Sequence, residues 1–409
     1  MKKNITLGIL GFLVLAIILG SDVRFSQGRK NEEQLYRNLE LFVGSLKIVQ
    51  DNYVDQVDDK KLIYGALKGM LFSLDPYSAF LEPEMQKELQ IETQGEFEGV
   101  GMEITVKDSI LTVVSPIEDT PAWKAGIKSG DRIIEIDGQS SKGLTSYEAA
   151  KKLRGKRGTS VTLSIVREGT PKLLKIVITR DVILVKSVRS KDIEGFAYIR
   201  LNEFQERSSK DLEAVVAGYA KNNTPGIILD LRNNPGGLLS AAIEISELFI
   251  PSGKLIVYTQ GRDPKDRTVY YSRGKPLWDK PVVLLVNGGS ASASEIVFGA
   301  MKDNLTAFRS VGNKTFGKGS VQNVIQMKDG SAIKLTIARY YTPKGICIEG
   351  KGIMPDIEMP IKENDEESTG DGDKNQIKEK DTEPFVFGDE RDVQLKKAVE
   401  ELKILTTKK

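Results

Sequence analysis

Hydrophobic residues recur at helical spacing near the start of the chain. Between residues 31 and 90, Leu35, Leu39, Phe42 and Leu46 recur at roughly helical spacing, and a second run of this kind covers 61–74. This pattern predicts helices. They are too small to enclose a deep core of their own, so we expect them to dock on another element or to pair with another chain.

The pattern changes at about Gly95. Short apolar runs such as 111–114 and 132–136 are separated by glycine turns, and one helix is predicted over 145–153, which together indicate a small β-rich module. From about residue 195, apolar strands alternate with amphipathic helices, which predicts a largely parallel sheet covered by helices. Ligands of such sheets gather at the carboxyl ends of the strands, so a site is expected in the loops that follow them.

The two ends of the chain differ from the rest. Lys2 and Lys3 precede an apolar stretch over 5–19, which is typical of an export signal. No clear cleavage site follows, so the stretch also fits a retained membrane anchor, and either interpretation places the remainder in the periplasm or another extracytoplasmic space. Residues 361–385 have the polar composition of a linker, and a short helix is predicted over 392–405.

Composition narrows the chemistry that is available. The 409 residues include no histidine and one cysteine, so this chain cannot build a Ser-His-Asp triad, a histidine-containing zinc site or an internal disulfide framework. With 59 Lys+Arg and 57 Asp+Glu, the formal net charge is +2, which gives no electrostatic reason to expect a nucleic acid partner. Acid–base catalysis would therefore depend on Lys, Asp, Glu, Tyr or Cys side chains.

A serine-rich turn, SASASE over 290–295, joins an apolar strand to a helix. A serine at such a junction, here Ser292, lies beside the amide groups of the helix and suits a nucleophile next to an oxyanion site. Ser292 and Glu295 also match a capping box, in which the serine only satisfies helix amides. The local sequence by itself favours this second interpretation.

Two other turns could serve such a nucleophile. The turn DLRNNPGG (230–237) ends in glycines whose N–H groups can bind an oxyanion, although it also fits an ordinary strand–helix connection. In TFGKGSVQ (315–322), Lys318 lies between two glycines, and Gln322 would share its face if the segment is extended. A desolvated lysine can act as the base for a serine, whereas the alternative is a surface lysine in a hairpin.

With these motifs, the chain resembles the C-terminal processing peptidases, also called tail-specific proteases, which are Ser-Lys endopeptidases with a PDZ domain. The resemblance runs from about residue 35 to residue 357. Besides the three turns, it rests on DPYSxFL (75–81), GVGM (99–102), AGIxxGDxI (125–133), LRG (153–155), YIRLxxF (198–204), TP (342–343) and GxGIxPD (350–356).

The resemblance implies an α/β, α+β multidomain fold, with a crotonase/ClpP-like βα core, a PDZ domain and N-terminal helices. The implied domains are a signal peptide or membrane anchor, a helical region, the PDZ domain, the Ser-Lys protease core, and a charged linker with a short helix, over 1–25, 26–88, 89–182, 183–360 and 361–409. It also implies a nucleophile, a base, its orienter and an oxyanion hole of backbone N–H groups: Ser292, Lys318 and Gln322, then Gly236 or Gly237 with Ala293. Ser290 and Ser294 stay alternative nucleophiles, and no cofactor or metal is needed.

The implied PDZ domain gives the chain its partners, which are protein substrates recognised through their C-termini. Residues Val100, Gly101 and Met102 resemble the loop that receives a peptide carboxylate through backbone amides. Arg154, at the end of the helix beside that groove, is a candidate gating contact. The helices over 31–90 and 392–405 are candidates for forming a homodimer.

Two other classes of protein fit parts of the chain. One is a non-catalytic PDZ scaffold with a degenerate protease core, and the other is an acyl-CoA enzyme built on a crotonase-like core. The intact Ser292, Lys318 and Gln322 argue against the scaffold. The PDZ domain and the export signal argue against the acyl-CoA enzyme.

Overall fold

A computed structural model describes residues 33–107, 109–360, 388–389 and 391–407. The chain divides into two compact units, Met1–Phe80 and Leu81–Lys409. The export signal or anchor predicted over 1–25 and the linker predicted over 361–385 lie outside the described residues. Within the described ranges, no helix combines the length and the apolar character that a membrane crossing requires.

The elements are numbered in chain order. The helices are α1 (33–52), α2 (Asp59–Phe72), α3 (Pro83–Gln94), α4 (Pro121–Lys124), α5 (Ser146–Leu153), α6 (Ser208–Lys221), α7 (Leu239–Glu247), α8 (Ala293–Asn304) and α9 (Val393–Thr407). The strands are β1 (Ala79–Leu81), β2 (Glu96–Gly99), β3 (Met102–Lys107), β4 (Ile110–Pro116), β5 (Arg132–Ile136), β6 (Gln139–Ser140), β7 (Ser160–Val166), β8 (Leu174–Thr179), β9 (Asp181–Leu184), β10 (Val188–Ile193), β11 (Phe196–Leu201), β12 (Ile227–Asp230), β13 (Leu255–Gln260), β14 (Arg267–Tyr271), β15 (Val282–Val286), β16 (Phe308–Gly312), β17 (Ser320–Gln326), β18 (Ala332–Tyr341) and β19 (Ile357–Glu358).

The first unit contains α1 and α2, in agreement with the helices predicted near the start of the chain. Asp58 begins α2 because its carboxylate accepts hydrogen bonds from the N–H groups of Lys60 and Lys61, at 2.8 and 3.3 Å. The apolar side chains of α1 are exposed; Leu35 and Leu39 keep 58% and 48% of their surface accessible. This helix therefore buries little of its apolar face.

The β-rich module of the second unit is an antiparallel sheet in the order β3-β4-β5-β7-β8, with β6 paired to β5. Its core includes Ile133 and Leu163 from the sheet and Ala149 and Leu153 from α5. The helix α5 starts at a capping box, since Thr145 N–H donates to the Glu148 carboxylate at 2.8 Å and Thr145 Oγ accepts from Glu148 N–H at 3.2 Å.

The larger part of the second unit contains the predicted parallel sheet, in the order β10-β11-β12-β15-β16-β19. Strands β11, β12, β15, β16 and β19 run parallel, and β10 is antiparallel to β11. Helices α6, α7 and α8 contribute to the core on one face of this sheet. A second sheet contains the antiparallel pairs β13–β14, β13–β18 and β17–β18.

The helix α9 covers the opposite face of the parallel sheet. Its Leu395, Val399 and Leu402 are buried against a core that includes Tyr198 and Val283. Homodimer formation through 392–405 stays a prediction, but it cannot use the apolar face of the helix. Because that face packs on the sheet of its own chain, it is not available to a second copy.

Candidate active site

Three consecutive strands of the parallel sheet end at the same edge, and the three predicted turns follow them. The turn 231–238 leaves β12, the turn 287–292 leaves β15, and the loop 313–319 leaves β16. Since β12, β15 and β16 are neighbours in register, their carboxyl ends bring the three turns together. The sheet therefore assembles the candidate site from segments that lie far apart in the sequence.

Ser292 immediately precedes α8 and has an unusual backbone conformation. Its φ of 53° and ψ of −111° lie outside the extended region that helix-capping residues normally adopt. A non-glycine residue in this region is strained, and such strain is typical of nucleophiles on a sharp strand-to-helix turn. The residue is 7% exposed, so the surrounding protein covers most of the serine.

The alternative nucleophiles in the same turn are occupied by backbone groups. The hydroxyl of Ser290 donates to the carbonyl oxygen of Leu231 at 2.7 Å, and that of Ser294 donates to the carbonyl oxygen of Asn234 at 3.0 Å. Both serines are fully buried. Their hydrogen bonds fasten the serine turn to the turn after β12, which is a structural role.

The buried carboxylate of Glu295 connects the serine turn to the lysine loop. One oxygen accepts from Ser292 N–H at 3.0 Å and Lys318 N–H at 2.9 Å, and the other accepts from Gly317 N–H at 2.8 Å and the Thr315 hydroxyl at 2.5 Å. Burial raises the pKa of Glu295, and the four hydrogen bonds oppose that shift. The hydrogen bond from Ser292 N–H to Glu295 is one of the two bonds of the capping box that the sequence predicts. The same carboxylate also holds the backbone of Lys318 in place.

Lys318 is partly buried at the start of the segment that leads into β17. Burial lowers the pKa of its amine, and the positive charge of Lys334 lowers it further, whereas the negative charge of Glu349 raises it. The lysine therefore loses its proton at a lower pH than an ordinary surface lysine. Such an amine suits a general base.

Gln322 lies in β17, opposite Thr336 of β18. Its amide nitrogen is buried and has no hydrogen-bond partner among the described residues. A buried amide in this state normally has an explanation, because leaving it unsatisfied costs roughly 1–3 kcal/mol. One explanation is that the amide of Gln322 gains its hydrogen-bond partner only during the reaction.

The two glycines of the turn after β12 are in different environments. Gly236 N–H already donates to Asn234 Oδ1 at 2.9 Å, inside the turn. A Cβ added to Gly236 would lie 2.8 Å from Ser292 Cβ, so the glycine contacts the candidate nucleophile directly. Gly237 forms a bridge with Phe204, and a Cβ there would lie 2.2 Å from the Phe204 carbonyl oxygen. Neither position has room for a side chain.

The candidate peptide-binding loop lies just before β3 in the β-rich module. The carbonyl oxygen of Gly101 accepts from Ile117 N–H at 3.0 Å and from the Thr120 hydroxyl at 2.8 Å, and Val100 is buried. Met102 begins β3, beside which α5 packs. The hydrogen bonds accepted by the Gly101 carbonyl oxygen therefore hold the loop in place.

Arg154 terminates α5 and points toward α3. Its guanidinium forms an ion pair with Glu88 and lies 5.2 Å from the centre of the Phe97 ring. These side chains line an open pocket of about 720 Å³, which also includes Tyr147 and Lys151. The arginine therefore links the β-rich module to α3 in this structure.

Sequence reasoning identifies the three turns but misses several residues that hold them. Asn234 fixes the glycine turn, and Thr315 joins the lysine loop to Ile353, whose N–H donates to the threonine hydroxyl at 2.7 Å. Arg232 is buried in the middle of DLRNNPGG. All three are within the motifs that the sequence singles out, but their roles depend on side-chain contacts that the motifs do not reveal.

Comparison with known proteins defines the class. The model of peptidase family S41 matches residues 195–359, a PDZ domain model matches 112–167, and a model described as the activating protease CtpB N-terminal domain matches 19–85. The chain is a serine-type peptidase that carries a PDZ domain.

Relatives of known name narrow this class. The carboxy-terminal-processing protease of Bartonella bacilliformis is 44% identical over 81% of this chain and 78% of the relative. The carboxy-terminal processing protease CtpA of Bacillus subtilis is 39% identical over 76% of this chain and 67% of the relative. A solved structure of a photosystem II D1 C-terminal processing protease is 29% identical over 78% of this chain and 92% of that chain, with a TM-score of 0.46.

The chain belongs to the C-terminal processing peptidases of family S41. The resemblance stated from the sequence motifs is thereby confirmed, together with the α/β fold class and the presence of a PDZ domain. The family membership makes the protein a C-terminal processing protease.

Proposed function

We propose that the protein is an endopeptidase that cleaves exported proteins at or near their C-termini through Ser292 and Lys318. The observation that carries this proposal is the set of hydrogen bonds around Glu295. One carboxylate oxygen accepts from the backbone N–H groups of both Ser292 and Lys318, which fixes the two candidate residues relative to each other. The lowered pKa of Lys318 and the strained backbone of Ser292 fit the same roles.

The reaction begins with a neutral Lys318. Its amine takes the proton from the Ser292 hydroxyl as the serine oxygen attacks the scissile carbonyl carbon, forming a tetrahedral intermediate. The lysine, now an ammonium, gives that proton to the leaving amine, which leaves an acyl-enzyme on Ser292. Lys318 then takes a proton from water while the water oxygen attacks the acyl carbonyl carbon. When this second tetrahedral intermediate collapses, the ammonium returns the proton to the Ser292 oxygen, which releases the new C-terminus and restores the serine hydroxyl and the neutral lysine. Gln322 orients the amine during these transfers.

The oxyanion of the tetrahedral intermediate needs two N–H donors that are not already used. Gly236 N–H donates to Asn234 Oδ1, so we assign the role on this side to Gly237. Ala293 is the first residue of α8, and its N–H supplies the other donor beside the nucleophile. Gly236 has a different role: because it has no side chain, the turn after β12 can lie directly against the turn of Ser292.

Substrate choice is assigned to the PDZ domain. The loop of Val100, Gly101 and Met102 would bind the substrate's terminal carboxylate, and the chain upstream of that carboxylate would then reach the catalytic turns. Arg154 stays the candidate gating contact, through its ion pair with Glu88. The apolar stretch over 5–19 is assigned to export or anchoring, which places the enzyme outside the cytoplasm.

The test is digestion of unfolded casein and of a peptide with a free or an amidated C-terminus. We expect wild-type protein to cleave both substrates, the peptide faster when its C-terminus is free, and Ser292→Ala and Lys318→Ala to be inactive while still folded. Ser290→Ala and Ser294→Ala, from the same serine-rich turn, each remove one structural hydrogen bond, so both should lower the melting temperature but keep measurable activity. Wild-type activity in Lys318→Ala would refute the base assignment, and a loss confined to Ser290→Ala or Ser294→Ala would move the nucleophile.

A further inference from the structure

The guanidinium of Arg232, in the turn that carries Gly237, has all five of its N–H donors occupied. Asp230 accepts two of these hydrogen bonds, from Nε at 3.0 Å and from Nη2 at 2.7 Å. The other three are accepted by the segment that begins α9. Asp392 accepts from Nη1 at 3.0 Å and from Nη2 at 2.7 Å, and Gln394 accepts from Nη1 at 3.0 Å. Arg232 is 1% exposed, so water does not substitute for these partners.

Gln394 connects the same arginine to the loop of the catalytic lysine. While its carbonyl oxygen accepts from Arg232, its amide nitrogen donates to Asn313 Oδ1 at 3.1 Å and to the Met359 carbonyl oxygen at 2.7 Å. Asn313 is the first residue after β16 and begins the loop 313–319. One fully buried glutamine side chain therefore contacts the beginnings of two of the three catalytic turns.

The apolar face of α9 holds this segment in place. Leu395, Val399 and Leu402 are buried against the parallel sheet. The contact is close, because a Cβ on Gly226 would lie 2.7 Å from Leu402 Cδ2. Removal of the helix would uncover the sheet and leave Arg232 with Asp230 as its carboxylate partner.

We propose that Asp392 and Gln394 are positioning residues of the peptidase site, and that the docked C-terminal segment sets the geometry of the turn of Gly237 and of the loop of Lys318. The inference rests on the catalytic roles proposed above. A substrate would not contact Asp392 or Gln394, because both side chains are directed into the interior against Arg232. Their effect reaches the reaction through the backbone of the two turns.

The experiment uses the full chain with Gln394→Ala, and two other variants in α9 as controls. Gln394→Ala removes the bonds to Arg232 and Asn313 and keeps a good helix former. Leu402→Ala weakens the docking of α9 through apolar contacts alone, so it reports loss of stability without loss of the polar bonds. Glu400→Gln changes a solvent-exposed carboxylate of the same helix that pairs with Lys397 at 3.1 Å.

The readouts are kcat and KM on a fluorogenic peptide, the rate at which a fluorophosphonate labels Ser292, and the thermal unfolding curve. For Gln394→Ala we expect kcat and the labelling rate to fall together by about 10- to 100-fold, with KM within about twofold, as for a small misplacement of catalytic groups. Leu402→Ala should unfold at a lower temperature and keep its kcat well below that temperature. Glu400→Gln should match wild type.

Two results would overturn the proposal. If folded Gln394→Ala keeps kcat and the labelling rate within twofold of wild type, α9 only covers the sheet. If Leu402→Ala loses as much kcat as Gln394→Ala, the loss comes from weakened packing of α9, and Asp392 and Gln394 are not positioning residues. Should Gln394→Ala fail to fold, the isosteric Asp392→Asn decides by the same readouts. A wild-type protein that neither cleaves nor labels would instead contradict the proposed catalytic roles, so the two failures are distinguishable.

Discussion

Glu295 accepts a hydrogen bond from the backbone N–H of Lys318 at 2.9 Å, although the two residues belong to different turns of the sheet edge. The same carboxylate oxygen accepts from Ser292 N–H at 3.0 Å. A residue that the sequence presents as a helix cap therefore also holds together the backbones of the proposed nucleophile and the proposed base.

Glu295→Gln should slow the enzyme without removing a catalytic group. A glutamine has a single acceptor oxygen, so its NH₂ group would face N–H donors that the carboxylate now accepts. Each buried donor left unsatisfied costs about 1–3 kcal/mol, and we expect kcat to fall by about tenfold or more and the melting temperature to drop. The measurement is steady-state kinetics with a thermal scan. Glu244→Gln, an exposed carboxylate of α7 that accepts from Ser209, is the control and should leave kcat unchanged.

The pH profile should respond in opposite directions to two charges near Lys318. Activity requires the neutral amine, so the rate rises as pH passes through the lysine's pKa and then levels off. Lys334→Met removes a positive charge, which raises the pKa of Lys318 and moves the rise to higher pH. Glu349→Gln removes a negative charge, which lowers that pKa and moves the rise to lower pH.

The check is kcat/KM measured against pH for wild type and both variants. Since the chain has no histidine, no imidazole step should appear near about pH 6.5. Shifts in the same direction, or no shifts, would show that the rise belongs to another group.

Lys318→Met should stabilise the fold while it abolishes activity. Burial depresses the folded pKa of this lysine below its ordinary value of 10.5, so between the two values the unfolded chain binds more protons than the folded one. Stability from this group therefore increases as pH rises through that window, and below it the full penalty of a buried charge is present. At neutral pH, methionine removes the penalty. Thermal unfolding at pH 7 should give a higher melting temperature than wild type, and a lower one would contradict the burial argument.

Gly236→Ala should damage the site more than its backbone conformation alone would predict. Gly236 has a φ of 104°, and the new Cβ would lie 2.8 Å from both the Ala291 carbonyl oxygen and Ser292 Cβ. Gly253→Ala is the matched control, because Gly253 also has a positive φ, 78°, but has no atom within 4 Å of the added Cβ. Both variants should lose roughly 1–2 kcal/mol from backbone strain. Only Gly236→Ala should also lose kcat, measured on the same peptide.

Local sequence patterns predict the framework of the site well. The strands β11 and β15 belong to the alternation of strands and helices predicted from about residue 195, because each is an apolar run between clear turn signals. A period-two or helical pattern of apolar residues indicates which residues are buried. The loops that follow neighbouring parallel strands leave the same edge of the sheet and therefore lie close together. The amino-acid pattern therefore places the three turns at one edge of the sheet, but the catalytic roles proposed for their residues come from the resemblance to the peptidase family.

The contacts between the turns cannot be predicted in the same way. The bond from Arg232 to Asp392 joins residues 160 positions apart, and the bond from Thr315 to Glu295 joins residues 20 positions apart in different elements. Periodicity carries no information about such pairs. The N–H of Gly236 is a similar case. It donates to Asn234 Oδ1, and only this contact, which the sequence does not reveal, distinguishes Gly236 from Gly237 as an oxyanion donor.

The position of α9 in the chain has a consequence for biosynthesis. Every strand of the sheet that α9 covers is made before it, and Arg232 leaves the ribosome well ahead of Asp392 and Gln394. During synthesis the sheet is therefore exposed on one face and the guanidinium lacks three of its five hydrogen bonds. If these bonds set the geometry of the proposed catalytic turns, the site of the nascent chain does not reach that geometry until α9 has emerged.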